Sequence, residues 1–253
     1  MNNLSKSFSL LHVDAEDDKE QIVSLTVAKD KNHATKSDKD KKKGELSGKT
    51  TTPKLDKVNE GSLSLSSGDY RMPLVWIDLE MTGLNIEVDR ILEIACVITD
   101  GKLAKSVEGP DLVIIQTKEC LDNMGQWCRD HHAASGLTEK VLQSNITEND
   151  AETQVIDFVK KHVGSDTPLL AGNSVYVDFL FLKKYMPNLA AIFPHVLVDV
   201  SSIMALCIRW FPKEKRRAPA KEKKHRAMDD IKESIRELRY YKESIFKAPN
   251  KSK

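Results

Sequence analysis

An apolar stretch that carries two acids constrains this chain more than any other feature. PLVWIDLEM, residues 73–81, is rich in residues that favour β-strands, and Asp78 and Glu80 lie two positions apart within it. On a strand, such residues point to the same face, about 7 Å apart along the backbone. Neighbouring carboxylates repel each other and are costly to take out of water. The stretch therefore predicts either a strand whose acidic face binds a divalent cation, or an edge strand whose acidic face meets water.

Two further acids lie at the predicted starts of helices. Asp178 opens the apolar segment 177–185, where it can bind a ligand or simply complement the helix dipole. Asp230 follows His225 by five positions, about 140° around an ideal helix. The two side chains would diverge within one helix, but a helix that begins near Asp229 leaves His225 in the preceding loop, within reach of the acid. Taken separately, these patterns leave both interpretations open.

The order of predicted elements indicates an α/β fold. Short turns separate the first three strands, which predicts an antiparallel meander. Strands are predicted at residues 73–81, 90–100 and up to 111–116, then at 168–171 and 195–200. Helices are predicted at 120–128, 151–163, 177–185, 201–211 and 228–246. A meander followed by such alternation predicts a mixed sheet with helices on both faces.

Composition divides the chain into two parts. Residues 1–70 contain 12 Lys, no Arg and 12 acids, and show little periodicity, so they are predicted to be a disordered N-terminal extension. The opening MNNLSKSFSLLHV could alternatively be an organelle-targeting segment. Residues 71–253 are predicted to form one domain. No apolar run approaches the roughly 20 residues of a membrane helix, and four cysteines indicate a reducing compartment. We expect a cytoplasmic protein, with mitochondria as the alternative location.

The acids and the histidine together follow a known pattern. Their order, D-x-E … D … H-x4-D, resembles the DEDDh branch of 3′→5′ exonucleases, which have a ribonuclease H-like fold. WIDLEMTGL, AGNSVYVDFLFLKKYMP and HRAMDDIKESI are similar to the oligoribonuclease family of that branch, in its eukaryotic, plant-like form. The resemblance covers roughly residues 71–247. It implies an α/β, ribonuclease H-like mixed sheet, with an antiparallel meander plus parallel strands, flanked by helices.

The resemblance also implies an activity and its residues. Such enzymes shorten short single-stranded RNA from its 3′ end to nucleoside 5′-monophosphates, using two Mg²⁺ or Mn²⁺ ions. The matching metal ligands are Asp78, Glu80, Asp178 and Asp230. His225 matches the general base. The matching substrate-binding residues are Leu84 between the last two bases, Trp127 and His132 beside the 3′ nucleotide, Ser174 at a phosphate, and His195.

One departure from the family pattern concerns assembly. The family commonly has His-Tyr-Arg before the VDVS strand, and its Tyr reaches the active site of a neighbouring subunit. Here the triplet is Pro194-His195-Val196, so His195 can replace that Tyr only partly, although a homodimer is still expected. Rival functions are a DNA-directed exonuclease of the same class and an inactive RNA-binding module. The basic run 213–226 is expected to be a mobile loop that assists RNA binding.

Overall fold

Five strands form one mixed sheet in the computed structural model, which describes residues 70–221 and 226–246. The strands are β1 (Leu74–Met81), β2 (Ile91–Thr99), β3 (Ser106–Val113), β4 (Leu169–Gly172) and β5 (Leu197–Asp199). Their order across the sheet is β3-β2-β1-β4-β5. β1, β2 and β3 pair antiparallel, whereas β4 pairs parallel with β1 and with β5. The predicted meander with added parallel strands is confirmed.

Helices cover the sheet, and their bounds largely follow the sequence prediction. The helices are α1 (Lys118–Asp122), α2 (Gln126–Ala134), α3 (Leu137–Gln143), α4 (Glu148–Val163), α5 (Tyr176–Tyr185), α6 (Pro187–Ala190), α7 (Val200–Trp210), α8 (Pro212–Lys215) and α9 (Ala227–Ser244). The single helix predicted over 120–128 is wrong, because α1 ends at Asp122 and the extended backbone of Gly125 separates it from α2. α3 was not predicted, and β3 stops at Val113 rather than reaching 116.

The two faces of β1 belong to different hydrophobic clusters. Val75, Ile77 and Leu79 lie in a cluster with residues of α4 and α5. Trp76, on the opposite face, lies in a cluster with residues of α7 and α9. Side chains alternate along a strand, so Asp78 and Glu80 point to the same face as Trp76. The sheet therefore turns both acids towards α9.

The limits of the described region bear on two predictions. The proposed N-terminal extension lies outside the described residues except for Tyr70, whose half-buried ring makes an edge contact with His162. His225 lies outside them too. Among the helices that the structure describes, none has the length and apolar character needed to span a membrane.

Candidate active site

Three of the four predicted metal ligands come together at the carboxyl end of β1. Asp78, Glu80 and Asp230 each offer a ligand atom, and these atoms lie within 4.8 Å of one another. β1 supplies the first two from one face, and the first turn of α9 supplies the third. The edge-strand alternative for Asp78 and Glu80 is wrong, since β1 is central in the sheet.

The fourth acid, Asp178, contacts β1 along the side on which β4 pairs. β4 pairs with β1 only from Leu74 to Trp76, so a different acceptor is needed for the amides further along that side of β1. The buried Asp178, in the first turn of α5, accepts a hydrogen bond from the amide of Leu79 at 2.9 Å. Asp178 therefore fills a place on β1 that a longer β4 would take.

Burial and mutual repulsion favour the protonated form of this cluster. Burial raises the pKa of Glu80 to about 8, and the negative charge of Asp230 adds to the shift. Burial likewise raises the pKa of Asp178 to about 8 and that of Asp230 to about 6. The pKa of Asp78 is raised well above its usual value by burial and by the charges of Asp178 and Glu80. Carboxylates in this arrangement are stabilised by a counter-charge.

The residues present fit a divalent metal. Hard cations such as Mg²⁺ and Mn²⁺ prefer carboxylate oxygens, and three carboxylates here already present atoms within 4.8 Å of one another. A bound cation would offset the repulsion that raises their pKa values. The protein therefore has the donor set of a divalent-metal-dependent enzyme.

A buried ion pair that was not predicted from the sequence adjoins the cluster. Glu93 on β2 lies opposite Glu80 in the strand register and is fully buried. Arg226, which precedes α9, donates from Nε to both carboxylate oxygens of Glu93 at 3.1 Å. The signal was present in the sequence: Glu93 is the one acid in the apolar strand RILEIACVIT. Its significance depends on Arg226, which is distant in sequence.

His132 is buried next to Glu80 rather than exposed at the surface. Its side chain is only 2% exposed, and Nε2 lies 2.9 Å from the carbonyl oxygen of Met81. Its Nδ1 lies 3.9 Å from a carboxylate oxygen of Glu80 and has no hydrogen-bond partner among the described residues. Burial lowers the pKa of this imidazole. His132 therefore places a neutral ring against the acid cluster.

Leu84 and Trp127 are both available at the surface. Leu84 is 40% exposed and follows β1 by three residues. Trp127, on α2, is 45% exposed and stacks on His131, with ring centroids 3.8 Å apart. With this exposure, Trp127 does not anchor its helix to the hydrophobic core. One face of the indole is held by His131.

Ser174 follows β4, and His195 precedes β5. Ser174 has a positive φ of 54°, in the left-handed region that is unfavourable for a residue with a Cβ. Its amide donates to Asp199 Oδ1 at 3.0 Å, and the same oxygen accepts from Ser201 at the start of α7. His195 lines a cleft of about 360 Å³ with Phe179 and Lys183, among others. Neither residue belongs to the acid cluster.

His225, the predicted general base, lies outside the described residues, between the described Lys221 and Arg226. Lys221 pairs with the buried Glu237 of α9 at 3.2 Å, and Arg226 pairs with Glu93. α9 begins at Ala227, which agrees with the prediction that His225 precedes the helix. His225 itself remains a prediction.

Comparison with known proteins agrees with this site and fold. The Exonuclease family RNase T matches residues 75–238, which include all four metal-ligand candidates. The fold resembles zinc-bound E. coli exonuclease I in complex with single-stranded DNA, with a TM-score of 0.50, 13% identity, and coverage of 68% of this chain and 40% of that one. Exonuclease I from Methylocaldum szegediense gives a TM-score of 0.50 at 15% identity, covering 69% and 41%. The chain spans about two fifths of these exonucleases, which show the fold alone.

The fold and the acid cluster thus define an exonuclease with a ribonuclease H-like sheet. An oligoribonuclease of Arabidopsis thaliana is 70% identical over 203 residues, which cover 80% of this chain and 90% of that protein. A human protein named mitochondrial oligoribonuclease is 47% identical over 191 residues, covering 75% and 81%. The chain belongs to the oligoribonuclease family, and it is accordingly a 3′→5′ exoribonuclease, a hydrolase of phosphodiester bonds.

Proposed function

We propose that this enzyme hydrolyses short single-stranded RNA from its 3′ end and releases nucleoside 5′-monophosphates. The observation that carries the proposal is the convergence of Asp78, Glu80 and Asp230 within 4.8 Å. Asp178 completes the ligand set from the other side of β1. The four acids would hold two Mg²⁺ or Mn²⁺ ions.

Residues of this chain bind the metal ions, orient the substrate and deprotonate the attacking water. The metal ions, when bound, supply positive charge for activating a water and for stabilising the departing 3′-oxygen. His225 accepts the proton of the attacking water, a task suited to an imidazole near neutral pH. Glu80 is held beside the neutral ring of His132, whose Nδ1 lies 3.9 Å away. The acids would thus bind the metal ions at the scissile phosphate, and His225 serves as the base.

The substrate contacts hold the terminal nucleotides. The exposed Leu84 separates the last two bases, and the indole of Trp127 stacks against a base. His132 lies beside the 3′ nucleotide, Ser174 contacts a phosphate, and His195 takes part of the role of the family Tyr. Lys and Arg residues of the 213–226 run add weak contacts to longer RNA.

Assembly and location follow from the same family membership. We infer a homodimer, which is supported by exposed apolar side chains on and next to α7. These side chains are Val196, Leu206, Trp210 and Phe211. Human, bovine and mouse relatives are named mitochondrial oligoribonucleases; for this chain we propose a cytoplasmic location, with mitochondria as the alternative. Residues 1–70 are proposed to be an extension of the exonuclease domain 71–253.

Digestion of end-labelled RNA tests the activity. RNA of two to twenty nucleotides is incubated with Mg²⁺, Mn²⁺ or EDTA, and matched DNA serves as the competing substrate. Stepwise loss of 5′-monophosphates from the 3′ end, dependent on metal, is the expected result. Equal degradation of DNA would favour the rival DNA exonuclease, and binding without hydrolysis would favour the inactive RNA-binding module.

A further inference from the structure

A fully buried acid lies next to the metal-ligand cluster but outside it. Glu93 is opposite Glu80 in the β1–β2 register, on the face of the sheet that meets α9. A buried carboxylate is costly unless it is paired and hydrogen-bonded. Both oxygens of Glu93 are paired, with Nε of Arg226 at 3.1 Å from each and with the amide of Ala227 at 3.3 Å from Oε2. Nη2 of Arg226 also donates to Oε1.

The same arginine is bonded to the metal-ligand candidate on α9. Arg226 is the N-cap residue of α9, and its carbonyl oxygen accepts a hydrogen bond from the amide of Asp230 at 3.0 Å. The carbonyl of Asp230 in turn accepts from Ser234 Oγ at 2.8 Å. The side chain of Arg226 makes no capping hydrogen bond to its own helix, and the amide of Ala227 in the first turn donates instead to Oε2 of Glu93 at 3.3 Å. The start of α9 is therefore fixed to the sheet by Glu93.

We propose that Glu93 is a positioning residue that holds Asp230 in place, through Arg226, against Asp78 and Glu80. The guanidinium also neutralises Glu93, so that the extra carboxylate does not compete with Glu80 for the cation. The inference rests on the proposed function, because it takes Asp230 as a metal ligand. Partners that orient metal ligands affect metal affinity strongly, by about 10- to 100-fold when they are removed.

A second ion pair on α9 provides a matched control. Lys232 of α9 and Glu108 of β3 lie 2.9 Å apart, with side chains 47% and 61% exposed. This pair also joins the sheet to α9, but it is solvated and contributes little. Removing this exposed pair tests whether the loss of any ion pair between the sheet and α9 disturbs the site. If only the buried Glu93–Arg226 pair matters, this variant should behave as the wild type does.

The variants are Glu93→Gln, Arg226→Lys and the control Glu108→Gln. Gln keeps the size of Glu93 and removes its charge. Lys keeps the charge of Arg226 but loses its two-pronged contact. Mn²⁺ binding is measured on the metal-free full-length protein without RNA, and melting temperatures are measured in EDTA. Glu93→Gln should weaken Mn²⁺ binding by about 10-fold or more, Arg226→Lys by less, and Glu108→Gln should match the wild type. With RNA, kcat should fall more than KM changes.

The outcomes separate this inference from the proposed function. Wild-type Mn²⁺ affinity in both Glu93→Gln and Arg226→Lys, with lowered melting temperatures, would overturn the inference and leave a purely structural ion pair. If Glu93→Gln does not fold, Arg226→Lys decides by the same criterion. Failure of the proposed function would look different, because wild type and Asp230→Ala would then bind Mn²⁺ equally.

Discussion

The carboxylate of Asp178 accepts a hydrogen bond from the amide of Leu79 at 2.9 Å. One side chain thus accepts a hydrogen bond from the central strand β1 and belongs to the proposed metal site. A substitution that removes the metal ligand can either keep or destroy this hydrogen bond. The structural and catalytic roles of Asp178 can therefore be separated.

Asp178→Asn and Asp178→Ala should both abolish most activity but differ in stability. Asn retains an oxygen that accepts from Leu79, whereas Ala leaves a buried amide unpaired, which costs about 1–3 kcal/mol. Urea denaturation in EDTA should therefore show Asp178→Ala as the less stable variant by about that amount. Equal stability of the two variants would show that the Leu79 hydrogen bond contributes little.

Asp78→Ala and Asp230→Ala should lower turnover by several orders of magnitude with little loss of stability. Each removes a proposed metal ligand and also relieves repulsion among the acids. Turnover is measured at saturating Mg²⁺ and Mn²⁺, and melting temperature in EDTA. Near-normal turnover in both variants would remove the two-metal assignment.

The metal-free protein should lose stability as the pH rises from about 4 to about 8. The pKa values of Asp230, Glu80 and Asp178 are raised by burial to about 6, about 8 and about 8. The folded protein therefore binds more protons than the unfolded chain across that range. The free energy of unfolding falls until the pH passes these raised values. Thermal melts in EDTA should show the decline, and excess Mn²⁺ should reduce it. A flat profile in EDTA would contradict the prediction.

Ser174→Gly and Ser174→Ala should affect activity alike but stability differently. Both remove the hydroxyl proposed to contact a phosphate. Only Gly relieves the positive φ of 54° at this position, which costs a residue with a Cβ about 1–2 kcal/mol. Ser174→Gly should therefore melt higher than Ser174→Ala. A loss of activity in only one of them would point to the backbone rather than to the hydroxyl.

RNA length should matter little beyond the terminal nucleotides. The exposed Leu84 and Trp127 are proposed to hold the terminal nucleotides, so kcat/KM should be highest for RNA of about two to five nucleotides. Trp127→Ala should lower kcat/KM by about 1–3 kcal/mol in transition-state free energy. Faster cleavage of a long RNA than of a dinucleotide at physiological salt would contradict the short-RNA assignment.

Patterns local in sequence predicted the sheet and placed the four acids on one strand and at two helix starts, and the family resemblance predicted that they form one site. Asp78 and Glu80 could be assigned to one face of a strand because side chains alternate along it, and Asp230 to a helix start because apolar residues follow at helical spacing. The sequence could not show that Asp178 would reach Leu79. That contact exists because β4 pairs with only the first part of β1. How far two strands pair depends on the tertiary structure, so the local sequence does not indicate it.

Tertiary packing also explains why the sequence did not indicate the burial of His132 or the pairing of Glu93 with Arg226. His132 lies in a helix of low hydrophobicity, and nothing nearby in sequence indicates that its ring would be buried against the carbonyl of Met81. Glu93 is a single acid in an apolar strand. Its partner Arg226 could not be recognised from either local pattern, because the pairing requires α9 to lie across the sheet.

The pairing of Glu93 with Arg226 has a consequence for how the chain is made. The two residues are 133 positions apart, so while the ribosome is still completing the second half of the domain, the sheet holds a carboxylate with no cation for it. Chains released early, before Arg226, would bury an unpaired charge or leave β2 exposed. They would also lack Asp230. Premature termination therefore yields fragments that are both unstable and without a complete site, rather than an active nuclease.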